Sequence, residues 1–510
     1  MSFVNDYIAA MHRAPREARG YDAIIISTNS PHEARYWQER LEATRGMVSN
    51  CGSLIFSCYE DWNSENGAGN LLGTLYAWEK AEKLMREQSG TTLLGFLESG
   101  KSVAMYHIAG LGTRLAPLPG SECNSKSAVK LPSLLTVNGT ATPLTILEAV
   151  ILQTGPFAAT RPGRLSVWWG DQVFIPARYK CPGTHHVEML AKKVPLSREL
   201  ENYGLLIFQN HGDAKLREKM PLERIKESLR NSHCREAMAG ISLGSFSIST
   251  RFLQMLLAQY QGELSQKTCR LNTDADLWQP LTSLRDEYRA AGRSEANWDR
   301  VKSFMESFSA SCDEGIRPFG AIDTGDSYWW DYGQLALYQE NLLKLLENSA
   351  EGEAMRLFYQ VPSPPVKDSW TDATEISGSV VLGSHIGSGR VKNSIVIKSW
   401  LHEADIEDCI VIESAVMGSL SGRRALSYHD TEESGLRLEY REASAGIYLP
   451  PKTHHRMRVI ISENGKEHWR HPIHGNALSF SEVWQIMKET ARGDSEALFR
   501  ERWKRIAAPL

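Results

Sequence analysis

The chain contains no run of ~20 apolar residues, which excludes a transmembrane helix, and no low-complexity segment. Its opening stretch, MSFVNDYIAAMHRAPREARG, mixes Asp, Glu, Arg and Pro with apolar side chains and lacks the apolar core of a secretory signal. Neither charge dominates: 57 Lys and Arg stand against 61 Asp and Glu, for a net charge of −4. That balance excludes a protein built to hold nucleic acid on a basic surface. The cysteines show no C-x-x-C and no paired spacing, so they read as reduced, structural thiols without a zinc motif. A Gly-Lys-Ser/Thr P-loop is missing, and so is the third glycine of a dinucleotide fingerprint. What remains is the expectation of a cytoplasmic globular protein with neither membrane nor nucleic-acid partners.

The 510 residues, at ~150 per domain, suggest about three domains. The prolines of VPSPPVK (361–367) mark a stiff linker that cannot be helix. We expect an α/β domain over 1–360, a β-helix over 368–425 and a β/helical cap over 426–510. The first element, Tyr21–Ser27, is a short apolar run suited to a strand covered on both faces. Ser30-Pro31-His32-Glu33 then reads as a capping box with Pro at the first helical position, ahead of Ala34, Trp37 and Leu41 at helical spacing.

Three segments invite a functional reading. Glycines 67, 69 and 73 bunch ahead of Thr74 and an amphipathic helix; such a cluster lets backbone approach a ligand closely, although flexible turns look the same. A second buried-type strand, Ser102–Ile108, runs into Ala109-Gly110-Leu111-Gly112-Thr113-Arg114-Leu115. A Gly-rich turn beside a permanently charged Arg suits a triphosphate and the pentavalent phosphorus formed from it. Lys126 and Lys130 follow, and either could add positive charge to the same phosphates.

This signature resembles that of the sugar-1-phosphate nucleotidylyltransferases, Gly-x-Gly-Thr-Arg-Leu-x-Pro-Leu followed by Pro-Lys. Here Ala-Gly-Leu-Gly replaces two adjacent glycines, and no Pro precedes Lys126. Spacing from Arg114 favours Lys126 over Lys130 for the family's lysine. Further matches follow in the family's order. Trp-Gly-Asp171-Gln-Val-Phe resembles the Gly-Asp-x-x-Phe whose Asp binds magnesium. Tyr203–Gly212, containing Asn210, and Arg217-Glu218-Lys219-Met220-Pro221 resemble a strand pair and the Glu-Lys-Pro whose Lys meets the sugar phosphate. Leu243-Gly244-Ser-Phe is similar to the sugar-contacting Asn-Ala-Gly-x-Tyr, with Ser242 and Leu243 replacing Asn-Ala. Trp329-Trp330-Asp331-Tyr332-Gly333 resembles Trp-x-Asp-x-Gly, whose Asp is the second magnesium ligand, with Asp323 as the competing candidate. Too few residues separate Lys126 from Asp171 for the family's usual strand–helix unit and Gly-Thr loop, whereas such a unit stands upstream at 21–80. That order is closest to fucose-1-phosphate guanylyltransferases. Strands must be neighbours in space and not in sequence, so the same site can be built either way.

After the linker, small and polar residues alternate with Ile/Val pulses over 376–420, and VKNSIVI (391–397) is echoed by IEDCIVI (406–412). This is the texture of a short left-handed parallel β-helix. Its His385 and His402 leave an acyltransferase as one alternative. The His- and Arg-rich stretch 449–476 reads as a solvated or phosphate-facing basic patch in preference to a metal site. Two closing helices are expected to be capped by Ser481 and Asp494, with Gly493 between them.

The expected architecture is thus α/β: a Rossmann-like nucleotidyltransferase domain, a left-handed parallel β-helix and a C-terminal β/helical cap. The implied reaction is nucleoside triphosphate plus sugar-1-phosphate giving nucleoside-diphosphate sugar plus pyrophosphate, with Mg2+ as cofactor and GTP favoured over UTP. Arg114, Lys126 and Lys219 would carry catalysis, and Asp171 and Asp331 the metal. Gly67, Gly69, Gly73, Thr74, Gly110, Gly112, Thr113 and Lys130 would hold the nucleotide, and Gly244 and Asn210 the sugar. A homo-oligomer formed through the C-terminal region, and a catalytically inactive regulatory or scaffold subunit, complete the expectations.

Overall fold

The computed structural model describes residues 2–63, 67–230, 238–311, 316–371 and 373–507. Its α/β part carries strands β1 (Ala23–Thr28), β2 (Leu54–Tyr59), β3 (Val103–His107), β4 (Lys130–Val137), β5 (Thr140–Thr145), β6 (Arg164–Trp169), β7 (Gln172–Ile175), β8 (His185–Pro195), β9 (Gly204–Phe208), β10 (Ala214–Glu218), β11 (Met238–Ser249), β12 (Arg317–Asp323) and β13 (Tyr328–Asp331). The main sheet runs β10-β9-β11-β6-β3-β1-β2, with β8 on β11 and β12 on β8. β2, β1, β3 and β6 are mutually parallel. The upstream β1–β2 pair is therefore inserted beside β3 in the same sheet.

Every residue of β1 is buried, because helices cover both faces. Ile24 and Ile26 join one core with Ala104, Tyr106 and Trp168. Ala23 and Ile25 join a second with Val103, Met105, Leu165 and Val167. Alternate residues thus point into opposite layers, the geometry of a doubly covered parallel sheet. The helix Pro31–Ala43 starts as its sequence dictates, with Ser30 Oγ accepting from Glu33 N at 3.1 Å and Pro in the first turn.

Beyond the linker, strands pair in parallel with a fixed offset. Val380 pairs with Ile395 and Ile395 with Ile410, a 15-residue step that places the two echoed segments in register. In each Ile-Val-Ile strand the central Val396 or Val411 points into the stack. The flanking Ile395, Ile397, Ile410 and Ile412 pack against the α/β domain. Each coil turns at residues with positive φ: Asn393, Lys398, Asp408 and Glu413. The residue after each turn supports the next coil. Ser394 N bonds Ser379 Oγ, Ser399 N bonds Ser384 Oγ, and Ser414 N bonds Ser399 Oγ, at 3.0–3.2 Å. The stack begins at Val366–Lys367, inside the expected linker. It continues past residue 425 through Leu426–Tyr428 into Glu442–Leu449.

The C-terminal helices are Phe480–Glu489 and Arg492–Ala507. Ser479, not Ser481, caps the first, in a reciprocal box with Glu482, since the hydroxyl must stand three residues before the Glu. Gly493 and Asp494 lie within the first turn of the second helix and do not separate the two. No helix among the described residues is long and apolar enough to cross a membrane.

Candidate functional site

Parallel strands end at one edge of the sheet, where loops leave the carboxyl ends and ligands of open α/β sheets bind. Here that edge gathers Asn29 after β1, Glu60 after β2, the Ile108–Gly112 turn after β3 and Gly170-Asp171 after β6. β7 and β13 form a two-stranded antiparallel ribbon in which Asp331 faces Gln172, so the second acidic residue arrives beside the first. Tyr332 N donates to Asp171 O at 2.9 Å. Gly333 has no side chain, and a Cβ there would stand 3.1 Å from Asp171 Oδ2 and 3.1 Å from Asp331 Oδ1. The glycine keeps the space between the two carboxylates open.

Cations complete the centre. Lys126 Nζ lies 2.6 Å from Asp171 Oδ2, with both side chains mostly buried. Burial, and then the neighbouring Asp171 charge, push the Asp331 carboxyl above its ordinary pKa, while Arg114 and Lys126 pull it down. The Asp331 carboxyl therefore lies in the field of Asp171, Arg114 and Lys126. Arg114 itself is exposed and makes no ion pair among the described residues. Gly110 and Gly112 take φ of +147° and +63°, which only glycine tolerates readily. A Cβ at Gly112 would press on Lys126 Cβ at 3.1 Å, so this glycine lets the turn lie against the lysine. Thr113 O lies against Gly465 of the cap.

Other expected site residues are placed elsewhere. Lys130 is buried, its Nζ 3.1 Å from Glu122 Oε2 and from Ala128 O. It serves an internal ion network, whereas Lys126 lies beside Asp171. Asp323 stands near Arg178 and Lys193, at 3.8 and 3.9 Å, and is not the partner of Asp171. Asn210 sits in the turn of the β9–β10 hairpin, whose Asp213 is bonded to His185 and Arg317 at the starts of β8 and β12. That is the far end of β12 from Asp323 and the opposite end of the hairpin from Lys219. Lys219 is exposed; its N–H bonds Tyr203 O, and the Tyr203 ring meets Trp329, two residues before Asp331. Gly244 N bonds Ser242 Oγ at 3.1 Å, and the missing side chain makes room for the Trp169 indole. This glycine lets a bulged strand cross an aromatic ring.

The upstream Gly loop packs against Glu60 and Leu271. Its residues 64–66 lie outside the described residues. Gly69 approaches not a ligand opening but the carbonyl of Leu271. Two of the loop's N–H groups are bonded within the chain: Ala68 N on Glu60 Oε1 at 2.7 Å, Leu71 N on Leu271 O at 3.0 Å. Gly67 and Gly73 border the Glu60 carboxylate. Only the helix that follows touches the β3 edge, where Thr74 Oγ1 lies 2.7 Å from His107 Nε2. Burial and then the nearby Lys126 push the His107 pKa down to about 4, so this ring is neutral near pH 7.

Asn29, Glu60, His107 and Trp169 were not picked out from the sequence. One signal was available for all four: each stands at the carboxyl end of a strand. Neither family models nor curated protein sequences match this chain. Any functional reading stands on the chemistry of the site itself.

That chemistry suits a magnesium ion. Two carboxylate oxygens flank a gap that a Cβ would fill, and Mg2+ takes hard oxygen donors from one or two carboxylates, leaving its other positions to phosphates and water. The three-donor group Glu122, Glu413 and His429 is a poorer fit, because Lys130 and Arg492 already neutralise Glu122. The basic C-terminal stretch is also internally paired: His474 with Glu463, Arg458 with Glu442, Arg456 with Glu432.

Proposed function

We propose that the chain is a Mg2+-dependent sugar-1-phosphate nucleotidylyltransferase, joining a nucleoside triphosphate to a sugar-1-phosphate and releasing pyrophosphate. The observation that carries the reading is the meeting of Arg114, Lys126, Asp171 and Asp331, drawn from three separate segments, at the carboxyl edge of the sheet. Asp171 and Asp331 would hold the ion, which when bound neutralises phosphate charge. Arg114, which makes no ion pair among the described residues, would grip the β- and γ-phosphates with its planar fork. Lys126 would exchange Asp171 for phosphate oxygens on nucleotide binding. A sugar-phosphate oxygen attacks the α-phosphorus, the α–β bridging P–O bond breaks, and pyrophosphate leaves with that bond's electron pair. The phosphate monoester is already nucleophilic, so the protein's work is positioning and charge stabilisation, without a general base. Lys219, on the Tyr203–Trp329 side of the hairpin, would meet the sugar phosphate. The left hand expected of the β-coils belongs to this reading.

An acyltransferase receives less support. His385 is sandwiched between Trp370 and Trp400, with ring centroids at 4.1 and 5.5 Å, and is not open to a substrate. Incubating the chain with Mg2+, each common triphosphate and a panel of sugar-1-phosphates, and measuring pyrophosphate, tests the proposal. Release that requires both substrates is expected. Silence across the panel would overturn the assignment.

A further inference from the structure

The phosphate-binding role proposed for the Gly110–Arg114 turn raises the question of what fixes a turn so rich in glycine. Its first residue, Gly110, has a backbone conformation foreign to other residues, and glycine gives up more freedom than any other residue when it is ordered. The sheet cannot hold it by main-chain pairing. β1 and β3 run side by side as far as Ser27, whose carbonyl accepts from both Ile108 N and Ala109 N at 3.1 and 3.0 Å. Beyond that point the two backbones separate.

One side chain bridges the separation. Asn29 Oδ1 accepts from Gly110 N at 2.8 Å, and Asn29 Nδ2 donates to Gly110 O at 3.4 Å. The amide thus gives Gly110 the donor and acceptor that a neighbouring strand would have supplied. Asn29 is held in turn by Glu33, whose Oε2 accepts from Asn29 N at 2.8 Å and from Asn29 Nδ2 at 3.3 Å. Glu33 is buried in the first turn of the helix Pro31–Ala43, anchored through its N–H on Ser30 Oγ. A continuous chain of bonds therefore runs from a helix start, through two side chains, to the turn that carries Arg114.

We infer that Asn29 is a positioning residue for triphosphate binding, setting the Gly110–Arg114 turn before the nucleotide arrives. This rests on the nucleotidylyltransferase reading. The amide's two polar atoms are engaged inside the protein, so Asn29 acts through Gly110 and not by touching phosphate. The residue type matters. Asp would keep the acceptor for Gly110 N but would set a carboxylate against Gly110 O and Glu33, while Ala would remove both bonds. Two hydrogen bonds at ~0.5–1.5 kcal/mol each correspond to roughly 5- to 150-fold.

The test uses the full chain and its Asn29→Ala and Asn29→Asp variants, with thermal unfolding of all three as the check on folding. Mg2+-triphosphate binding is measured by calorimetry, and KM for triphosphate and for sugar-1-phosphate by pyrophosphate release. The expected result is triphosphate affinity weakened about tenfold or more and its KM raised in parallel. The sugar-1-phosphate KM should stay within about twofold. A purely structural role would lower kcat through loss of active protein and leave both KM values alone; that outcome overturns the inference while the assigned reaction stands. If the unmodified chain neither binds nor turns over any triphosphate, the reaction itself fails and the inference with it.

Discussion

Arg114 is the residue whose chemistry is most exposed to test. It is solvent-facing, without an ion-pair partner among the described residues, and on the electrostatic side of the two aspartates. Arg114→Lys keeps the charge but loses the fork that spans two phosphate oxygens. We expect kcat/KM for triphosphate to fall by at least about tenfold, one such charged hydrogen bond being worth ~1.5–3 kcal/mol, with the melting temperature unchanged. Equal steady-state constants for the two proteins would contradict the phosphate grip. At this scale the sequence singled out four residues that the fold brings together: Arg114, Lys126, Asp171 and Asp331. Asn29 and His107 escaped because nothing in an isolated Asn or a strand-end His declares what will stand opposite it. Lys130 misled for the converse reason: four residues from Lys126, it differs only in facing Glu122.

Among elements, the β-coils show how much a repeat can disclose. The echo of VKNSIVI in IEDCIVI marked a 15-residue step that the strand register reproduces. The serines at 369, 384, 399 and 414 share that spacing and form the ladder between coils, a signal that the apolar pulses overshadowed. Where the ladder would continue stands Asp430, fully buried, accepting from Ser427 Oγ at 2.7 Å and Ser444 Oγ at 2.9 Å. Burial pushes its pKa up to about 7. An acid whose pKa in the folded state exceeds its unfolded value near 4 holds an extra proton when folded between those limits, so its contribution to stability falls as pH rises from about 4 to about 7. Asp430→Asn should remove that slope and leave the variant more stable than the parent at pH 8. Thermal melts at pH 5 and pH 8 decide it; parallel pH dependence in the two proteins would refute the assignment. The Gly loop at 67–74 was legible as part of a strand–loop–helix unit. Its N–H partners at Glu60 and Leu271 are brought to it only by the tertiary fold.

Across the whole molecule, the α/β domain, the coils and the cap share one buried ion network. Glu122 accepts from Lys130, Arg492 and Tyr428, and Arg492 stacks on Tyr36 of the first-domain helix at 3.7 Å. Lys130 and then Arg492 hold the Glu122 carboxyl down to about 2, against the opposing effect of burial. Glu122→Ala would strand two buried cations at a cost of about 3–5 kcal/mol, visible as a lower denaturant midpoint. A loss below about 1 kcal/mol would show that the network does not hold the three parts together. Sequence spacing could not reveal this junction, since Glu122 and Arg492 come from opposite ends of the chain. The central claim concerns the paired aspartates, and it is tested most directly by metal-dependent pyrophosphate release. The chain, its Asp171→Ala variant and its Asp331→Ala variant are each assayed with triphosphate and sugar-1-phosphate over a range of Mg2+ concentrations. The account predicts release by the parent chain that vanishes without Mg2+, and release at least about a hundredfold slower in both folded variants, as expected when a metal that stabilises transferring phosphate by several kcal/mol is lost. Near-parental release by either variant, or release by the parent that is indifferent to Mg2+, would contradict it.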